Sequence, residues 1–130
     1  MKNEELIDAA FTVTGEYKSS DLCDSGSVGA AILTKSGNVY TGVCIDTACG
    51  LGFCAEHSAI AEMLKHKESE IVMVAAINDK KQLLTPCGRC RELIAQVNKA
   101  NMDAKIVLNE KDTITLRELL PMHWWDMWKS

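Results

Sequence analysis

The apolar run IVMVAAI, Ile71–Ile77, constrains the fold of this 130-residue chain more than any other segment. A continuous apolar run of strand length is typical of a strand that is buried on both faces of its sheet. Such a strand needs other elements packed on both sides of it. The chain has 47% hydrophobic residues, which is enough for a core of this kind. We therefore expect one domain over residues 1–130.

The segments around this run predict an alternation of helices and strands. Helical spacing marks Lys2–Thr14, Cys54–Lys67, the stretch after Pro86 and Thr115–Leu120, while strand patterns mark Val28–Thr34, Val39–Ile45, Ile71–Ile77 and Ala104–Asn109. The polar segments Ser19–Ser27 and Asp46–Phe53 are predicted as connections. Thr85 is predicted as the N-cap of the third helix, with Pro86 as its first residue. The alternation predicts an α/β sandwich in which helices cover both faces of a mixed sheet.

Charge and hydropathy exclude several classes of partner. The net charge is -4, and the longest basic run is Lys80–Lys81, so the surface offers no general attraction to nucleic acid. No apolar run approaches the ~20 residues of a membrane span, so no membrane partner is expected. The N-terminus MKNEELIDAAF does not resemble a signal peptide, and we expect a cytoplasmic protein. In that compartment six cysteines are expected to be thiols or metal ligands.

Three of the cysteines lie where two central helices begin. Cys87 and Cys90 are three residues apart in the motif TPCGRC, and Cys54 starts the preceding helix. In an α/β sandwich such helix starts meet at one edge of the sheet, where the positive helix ends favour thiolates. Three thiolates and Zn²⁺ sum to a charge of -1, so nearby cations should offset the excess. The candidates by position are His57, Arg89 and Arg91.

Three protein ligands leave the fourth position of zinc open, as in catalytic sites. Glu56, two residues after Cys54, is the obvious partner for a water there, provided that Cys54 is a helix cap. Two alternatives remain at this point. Cys87 and Cys90 could be a redox pair, or the zinc could be structural, with His57 or Cys49 as a fourth ligand.

The motif CAE followed by PCGRC resembles the signature of the zinc deaminases. With cysteine first, it is similar to the small cytidine deaminase family, which includes the blasticidin S deaminases. VGAAIL, TGV, CAEHSAI, TPCGRCRELI and RELLP extend the likeness from about Val28 to Pro121. The resemblance implies that Cys54, Cys87 and Cys90 bind zinc. It also implies that Glu56 carries a proton from activated water to the pyrimidine ring nitrogen, and then one to the departing ammonia.

The resemblance further implies a three-layer α/β/α sandwich with a five-stranded mixed sheet, assembled as a homotetramer. The expected substrate is a small cytosine nucleoside, cytidine or deoxycytidine, converted to uridine or deoxyuridine. Family members usually carry an Asn-x-Glu pair for the ribose, whereas this chain has Cys44 and Asp46, and Gly26-Ser27 stands where the family has Phe-Pro. These departures favour the blasticidin S branch, with Ser27, Cys44 and Asp46 as candidate substrate residues. The tail His123–Trp128 is expected to pack in the core or an interface, or to form an aromatic lid.

Overall fold

A computed structural model describes residues 1–129. The α-helices are α1 Asn3–Thr12, α2 Ala55–Lys65, α3 Gly88–Val97, α4 Leu116–Leu119 and α5 Trp124–Lys129, and a 3-10 helix spans Lys99–Asp103. The strands are β1 Tyr17–Ser20, β2 Cys23–Thr34, β3 Val39–Thr47, β4 Ile71–Asn78, β5 Leu83–Leu84, β6 Lys105–Val107 and β7 Thr113–Thr115. Within residues 1–129, none of the helices combines the length and the apolar character needed to cross a membrane.

All strands join one mixed sheet, which confirms the predicted α/β class but has seven strands rather than five. β2 pairs antiparallel with β1, β3 and β4, while β4 also pairs with β5 and, in parallel, with β6. β7 completes the sheet beside β6. The segment predicted as a polar connection at Ser19–Ser27 contains the end of β1 and the start of β2. Backbone hydrogen bonds hold these residues in strands without any apolar alternation.

The predicted burial of Ile71–Ile77 on both faces is confirmed. Met73, Ala75 and Ile77 pack with Leu6 and Ala10 of α1 on one face of the sheet. On the other face Val74 lies in a core formed mainly by α2, α3 and α4. The central members of this core are Ile60, Met63, Ile94, Leu116 and, from β6, Ile106. Helices therefore cover both sides of the sheet, as a three-layer sandwich requires.

The two central helices begin at cysteines. Cys54 is the N-cap of α2, as expected, and Cys87 is the N-cap of α3. The prediction that Thr85 caps α3 is wrong by two residues. Leu83 and Leu84 pair with the end of β4, so the chain is still extended when it reaches Thr85. The first helical turn closes only when the Arg91 backbone N–H donates to the Cys87 carbonyl oxygen at 2.9 Å.

A close approach at Gly42 fixes α2 against β3. A Cβ atom at this position would lie 2.4 Å from the backbone nitrogen of Ala59 and 2.8 Å from the carbonyl oxygen of Ala55. The Ser58 hydroxyl also donates to the Val43 carbonyl oxygen at 2.8 Å, which ties the first turns of α2 to the same strand. Glycine at position 42 therefore sets the distance between the sheet and the helix that begins at Cys54.

Gly42→Ala is expected to destabilise the protein by about 1–3 kcal/mol, because the added methyl group must push helix backbone away from the strand. Gly50→Ala is the matched control, since a Cβ atom at Gly50 meets no heavy atom within 4 Å. Urea unfolding of both variants measures the difference. Equal stability of Gly42→Ala and the wild type would contradict the close packing described for α2.

Candidate functional site

Three thiols meet between the starts of α2 and α3. The Cys54 sulfur lies 3.4 Å from that of Cys87, which lies 3.6 Å from that of Cys90. All three sulfur atoms fall within 4.8 Å of one another, and they are the one such group of potential metal-binding side chains found among residues 1–129. We call them the three-sulfur cluster. The convergence predicted from the sequence is thus present.

The loop before α2 is anchored so that Cys54 faces α3. Phe53 exchanges two backbone hydrogen bonds with Ile45 of β3, at 2.9 and 3.0 Å. Gly52 lies so close to this strand that a Cβ atom there would be 2.0 Å from the Ile45 carbonyl oxygen. These contacts return the loop to the sheet directly before Cys54. Phe53 is not among the site residues predicted from the sequence, although its place beside Cys54 is a usable signal.

The spacing of the cluster suits zinc. Four sulfur or nitrogen ligands around zinc form a tetrahedron with Zn–S distances of about 2.3 Å, so bound sulfurs lie roughly 3.8 Å apart. The distances of 3.4 and 3.6 Å between neighbouring sulfurs are close to that value. Soft sulfur donors also favour zinc over magnesium or calcium, which prefer oxygen.

The ionisation of the three thiols also indicates that the cluster is a metal site. Burial raises the pKa of Cys54 and of Cys90, and for Cys90 the Glu56 charge raises it further. Burial acts in the same direction on Cys87, but hydrogen bonds from the Cys90 backbone N–H and from the neighbouring thiols outweigh it and lower the pKa. Three thiolates at these separations repel one another, so a cation between them is required for all three to ionise.

Glu56 places a carboxyl group beside the cluster. It is 4% exposed, and burial raises its pKa even though its own backbone N–H and the Cys90 thiol donate hydrogen bonds that oppose the shift. Together with Cys54 and Cys87 it lines an inner cavity of about 150 Å³. A buried carboxyl group with a raised pKa is suited to take up and release a proton.

An outer cleft of about 390 Å³ adjoins the inner cavity, and Val28, Cys44 and Cys54 line both. The three predicted substrate residues, Ser27, Cys44 and Asp46, all lie in this cleft. The Ser27 hydroxyl is 3.3 Å from the Cys44 sulfur, and the Cys44 thiol donates to Asp46 Oδ2 at 3.9 Å. The Cys44 side chain is buried, whereas the Asp46 side chain is exposed to the cleft.

The three candidate cations differ in their contacts. His57 Nδ1 lies 3.5 Å from the Cys90 sulfur, and the imidazole stacks on the Phe53 ring. Burial, followed by the charge of Arg89, lowers the pKa of His57. Arg91 donates to the carbonyl oxygens of Pro86 and Leu119, at 2.8 and 3.1 Å. Arg89 donates to the Gly52 carbonyl oxygen at 3.3 Å and lines the outer cleft.

The C-terminal tail forms α5 and lies along α3. The Trp124 backbone N–H donates to Glu92, and Trp125 lines a separate cavity beside Ala95 and Lys99. Trp124, Trp125 and Trp128 are all exposed, so the expectation of core packing is wrong for this chain by itself. None of these tryptophans lines the inner cavity or the outer cleft as the structure describes them.

Comparisons with known proteins agree with this geometry. Residues 1–105 match the family model for the cytidine and deoxycytidylate deaminase zinc-binding region. A cytidine deaminase from Halalkalibacterium halodurans is 37% identical over 99 residues, 72% of this chain and 74% of the relative. A blasticidin-S deaminase from Bacillus cereus is 30% identical over 109 residues, 73% of this chain and 74% of the relative.

Solved structures resemble the whole fold. The crystal structure of cytidine deaminase from Mycobacterium leprae has a TM-score of 0.75 and 30% identity, with 92% of this chain and 97% of that chain covered. Cytidine deaminase from Mycobacterium tuberculosis has a TM-score of 0.78 and 25% identity, with 93% and 95% covered. The likeness therefore extends over nearly the full length of both chains.

Serine substitutions test the three-sulfur cluster. We expect the wild type to retain about one zinc ion per chain after dialysis, whereas Cys54→Ser, Cys87→Ser and Cys90→Ser each lose most of it. Cys23→Ser is the matched control, because Cys23 lies in β2 outside the cluster. Elemental analysis by mass spectrometry measures the metal. Full zinc content in all three cluster variants would exclude these sulfurs as the ligands.

Proposed function

This chain belongs to the cytidine and deoxycytidylate deaminase family and is a zinc-dependent aminohydrolase, and from that premise we propose its substrate and the roles of its residues. It hydrolyses a free cytosine nucleoside, cytidine or deoxycytidine, to the uracil nucleoside and ammonia. The observation that carries this proposal is the buried carboxyl group of Glu56, which shares one small cavity with two sulfurs of the three-sulfur cluster.

Cys54, Cys87 and Cys90 hold the zinc. The bound metal supplies Lewis acidity that activates water for attack on the ring carbon bearing the amino group. A site with three sulfur ligands from the chain would keep room for a non-protein ligand on the metal. Cys49 lies in the wall of the outer cleft and does not belong to the three-sulfur cluster. A fourth thiolate that would close the site is therefore not supported.

Glu56 moves the protons. Its carboxylate accepts a proton from the attacking water and donates it to the neighbouring ring nitrogen, which breaks the aromatic system. The hydroxyl group added to the ring carbon then gives up its proton, which passes through the same carboxyl group to the amino nitrogen as the C–N bond breaks, ammonia leaves and the ring carbonyl forms. Burial favours the protonated form and keeps bulk water away, which suits a group that both accepts and donates.

The outer cleft receives the sugar. Asp46 presents an exposed carboxylate that accepts a hydrogen bond from a sugar hydroxyl, and Ser27 offers a hydroxyl on the same wall. Cys44 contributes mainly by supporting these two groups, since its thiol already contacts both. A thiol is a weak hydrogen-bonding group. Cys44 and Asp46 therefore bind the sugar with fewer strong hydrogen bonds than the amide and carboxylate of an Asn-x-Glu pair would.

Arg89 and Arg91 supply the positive charge that offsets the thiolates. His57, whose pKa is lowered by burial, acts through the approach of Nδ1 to the Cys90 sulfur and not as a full cation. Arg91 and Arg89 act through their field, since their hydrogen bonds go to carbonyl oxygens around the cluster. The arrangement reduces the excess of negative charge that three thiolates leave on the metal, and so preserves its Lewis acidity.

Blasticidin S is a second candidate substrate. The similarity to the blasticidin-S deaminase of Bacillus cereus favours it, and so does the replacement of the usual Asn-x-Glu pair by Cys44 and Asp46. Ammonia release from cytidine, deoxycytidine and blasticidin S, compared at equal enzyme concentration, ranks the candidates. The highest kcat/KM for blasticidin S would reverse the order proposed here.

Replacement of the proton carrier tests the mechanism. Glu56→Gln is expected to keep its zinc and to lose about 10²–10⁴-fold in turnover, because the amide cannot transfer protons. Glu62→Gln is the matched control, since Glu62 lies later on α2 and pairs with Lys65 away from the cavities. Ammonia release and zinc content are measured on the same samples. Wild-type turnover in Glu56→Gln would remove Glu56 from the mechanism.

We also infer a cytoplasmic homotetramer that serves pyrimidine salvage. The open outer cleft and the exposed side chain of Leu51, which lies between the cleft-lining Gly50 and Gly52, support coverage by neighbouring chains. Light scattering on a size-exclusion column is expected to give the mass of four 14.3 kDa chains. A monomeric mass across the micromolar range, together with full activity, would contradict this assembly.

A further inference from the structure

The inner cavity has a wall that it does not share with the outer cleft. The residues that line the inner cavity alone are Ala55, Glu56, Ala76, Leu84, Thr85 and Cys87. The first three are at most 4% exposed and form its floor, whereas the last three are exposed, Leu84 by 39%. The cavity therefore has a second opening, at Leu84, Thr85 and Cys87, besides its connection to the outer cleft.

The edge of the sheet explains the second opening. Leu84 of β5 pairs with Ala76 of β4, and both side chains line the inner cavity. No further strand within residues 1–129 pairs with β5 on its other side. The chain then passes through Thr85 to the N-cap of α3 at Cys87. A single extended segment therefore forms this side of the cavity.

The direction of the base shows which of its atoms meets the second opening. In the proposed reaction the ring carbon that carries the amino group lies beside Glu56, and the sugar lies in the outer cleft. The sugar is attached to the ring nitrogen that stands opposite this carbon, so the amino group points away from the outer cleft. Cys87 belongs both to the three-sulfur cluster and to the exposed wall. The amino end of the base therefore faces the second opening.

We infer that this enzyme also accepts cytosine nucleosides whose amino nitrogen carries an alkyl group, and that it releases this group as a primary amine. The inference rests on the proposed function, since it names a wider substrate class for the same site. The alkyl group extends past Leu84 and Thr85 into solvent, while the base stays beside Glu56. The inner cavity holds only about 150 Å³, so the opening and not spare volume admits the substituent.

The reaction of such a substrate balances without a further reactant. Water adds to the ring carbon, and Glu56 carries one of its protons to the neighbouring ring nitrogen. The added hydroxyl group then gives up its proton, which passes through the same carboxyl group to the alkylated nitrogen. The carbon–nitrogen bond breaks with its electron pair left on nitrogen, and the ring carbonyl forms. The products are the uracil nucleoside and the alkylamine, which takes the place of ammonia.

Two alkylated substrates test the inference. N4-methylcytidine and N4-propylcytidine release amines of nearly equal basicity, so a comparison between them isolates the size of the substituent. Uridine and alkylamine are measured by mass spectrometry with the zinc-loaded wild type. The two values of kcat/KM are expected to agree within about threefold, whereas a closed pocket rejects each extra methylene by about 10–200-fold. A kcat/KM for the propyl compound that is about a hundredfold lower would overturn the inference.

A larger side chain at the rim assigns the effect to the second opening. Leu84→Trp is expected to lower kcat/KM for N4-propylcytidine about tenfold more than for cytidine, because the indole narrows the path of the alkyl chain. Leu108→Trp is the matched control and should leave the ratio of the two substrates unchanged. Leu108 is 38% exposed, close to the 39% of Leu84, and it lines neither cavity. An equal loss for both substrates in Leu84→Trp would overturn the assignment to this opening.

Failure of the inference and failure of the proposed function give different results. Ammonia release from cytidine without alkylamine release from either alkylated substrate would overturn the inference and leave the proposed function intact. Titration calorimetry on zinc-loaded Glu56→Gln protein measures binding without turnover, and there the two alkylated nucleosides are expected to bind equally. If cytidine itself releases no ammonia, the proposed reaction is contradicted, and equal binding of the two compounds would still support the second opening.

Discussion

The convergence of three thiols within 4.8 Å, which would repel one another as thiolates, is the constraint on which the rest of this structure depends. Burial opposes the ionisation of Cys54 and Cys90, and mutual repulsion opposes a state in which all three are ionised, so the three are stable together as thiolates only around a cation. The approach of α2 to β3 at Gly42 and the extended segment before Cys87 hold the two helix starts in place. Metal binding should therefore contribute to folding, because the ligands come from separate elements.

In the proposed function, the division of the site into two cavities separates the chemistry from the recognition. The inner cavity holds Glu56, which is buried and has a raised pKa. The proposed proton transfers take place in this cavity, where burial keeps bulk water away. The outer cleft holds Asp46 and Arg89, which remain exposed and keep their charges available to a ligand. Both lie where the starts of α2 and α3 meet the sheet, a usual position for ligands in α/β folds. Substitutions in the outer cleft can therefore change the substrate without changing the reaction.

Much of the fold and of the chemical centre could be predicted from the sequence. The apolar run in β4 required helices on both faces, and the motifs around Cys54 and Cys87 placed three sulfurs and Glu56 together. The short strands β1 and β5 could not be predicted, because they are held by backbone pairing and not by an apolar pattern. Because β5 pairs with β4, the chain stays extended up to Leu84, and α3 begins after Thr85, with Cys87 as its N-cap. The stacking of Phe53 on His57 depends on loop geometry that no periodicity encodes.

The central claim is that three sulfurs bind the metal and leave its fourth position to a non-protein ligand. X-ray absorption at the zinc edge of the purified protein tests it most directly. The account predicts three sulfur neighbours at about 2.3 Å and one light-atom neighbour without the multiple scattering of an imidazole. Four sulfur neighbours, or three with a histidine nitrogen from a residue such as His57, would show a closed structural site and contradict the account.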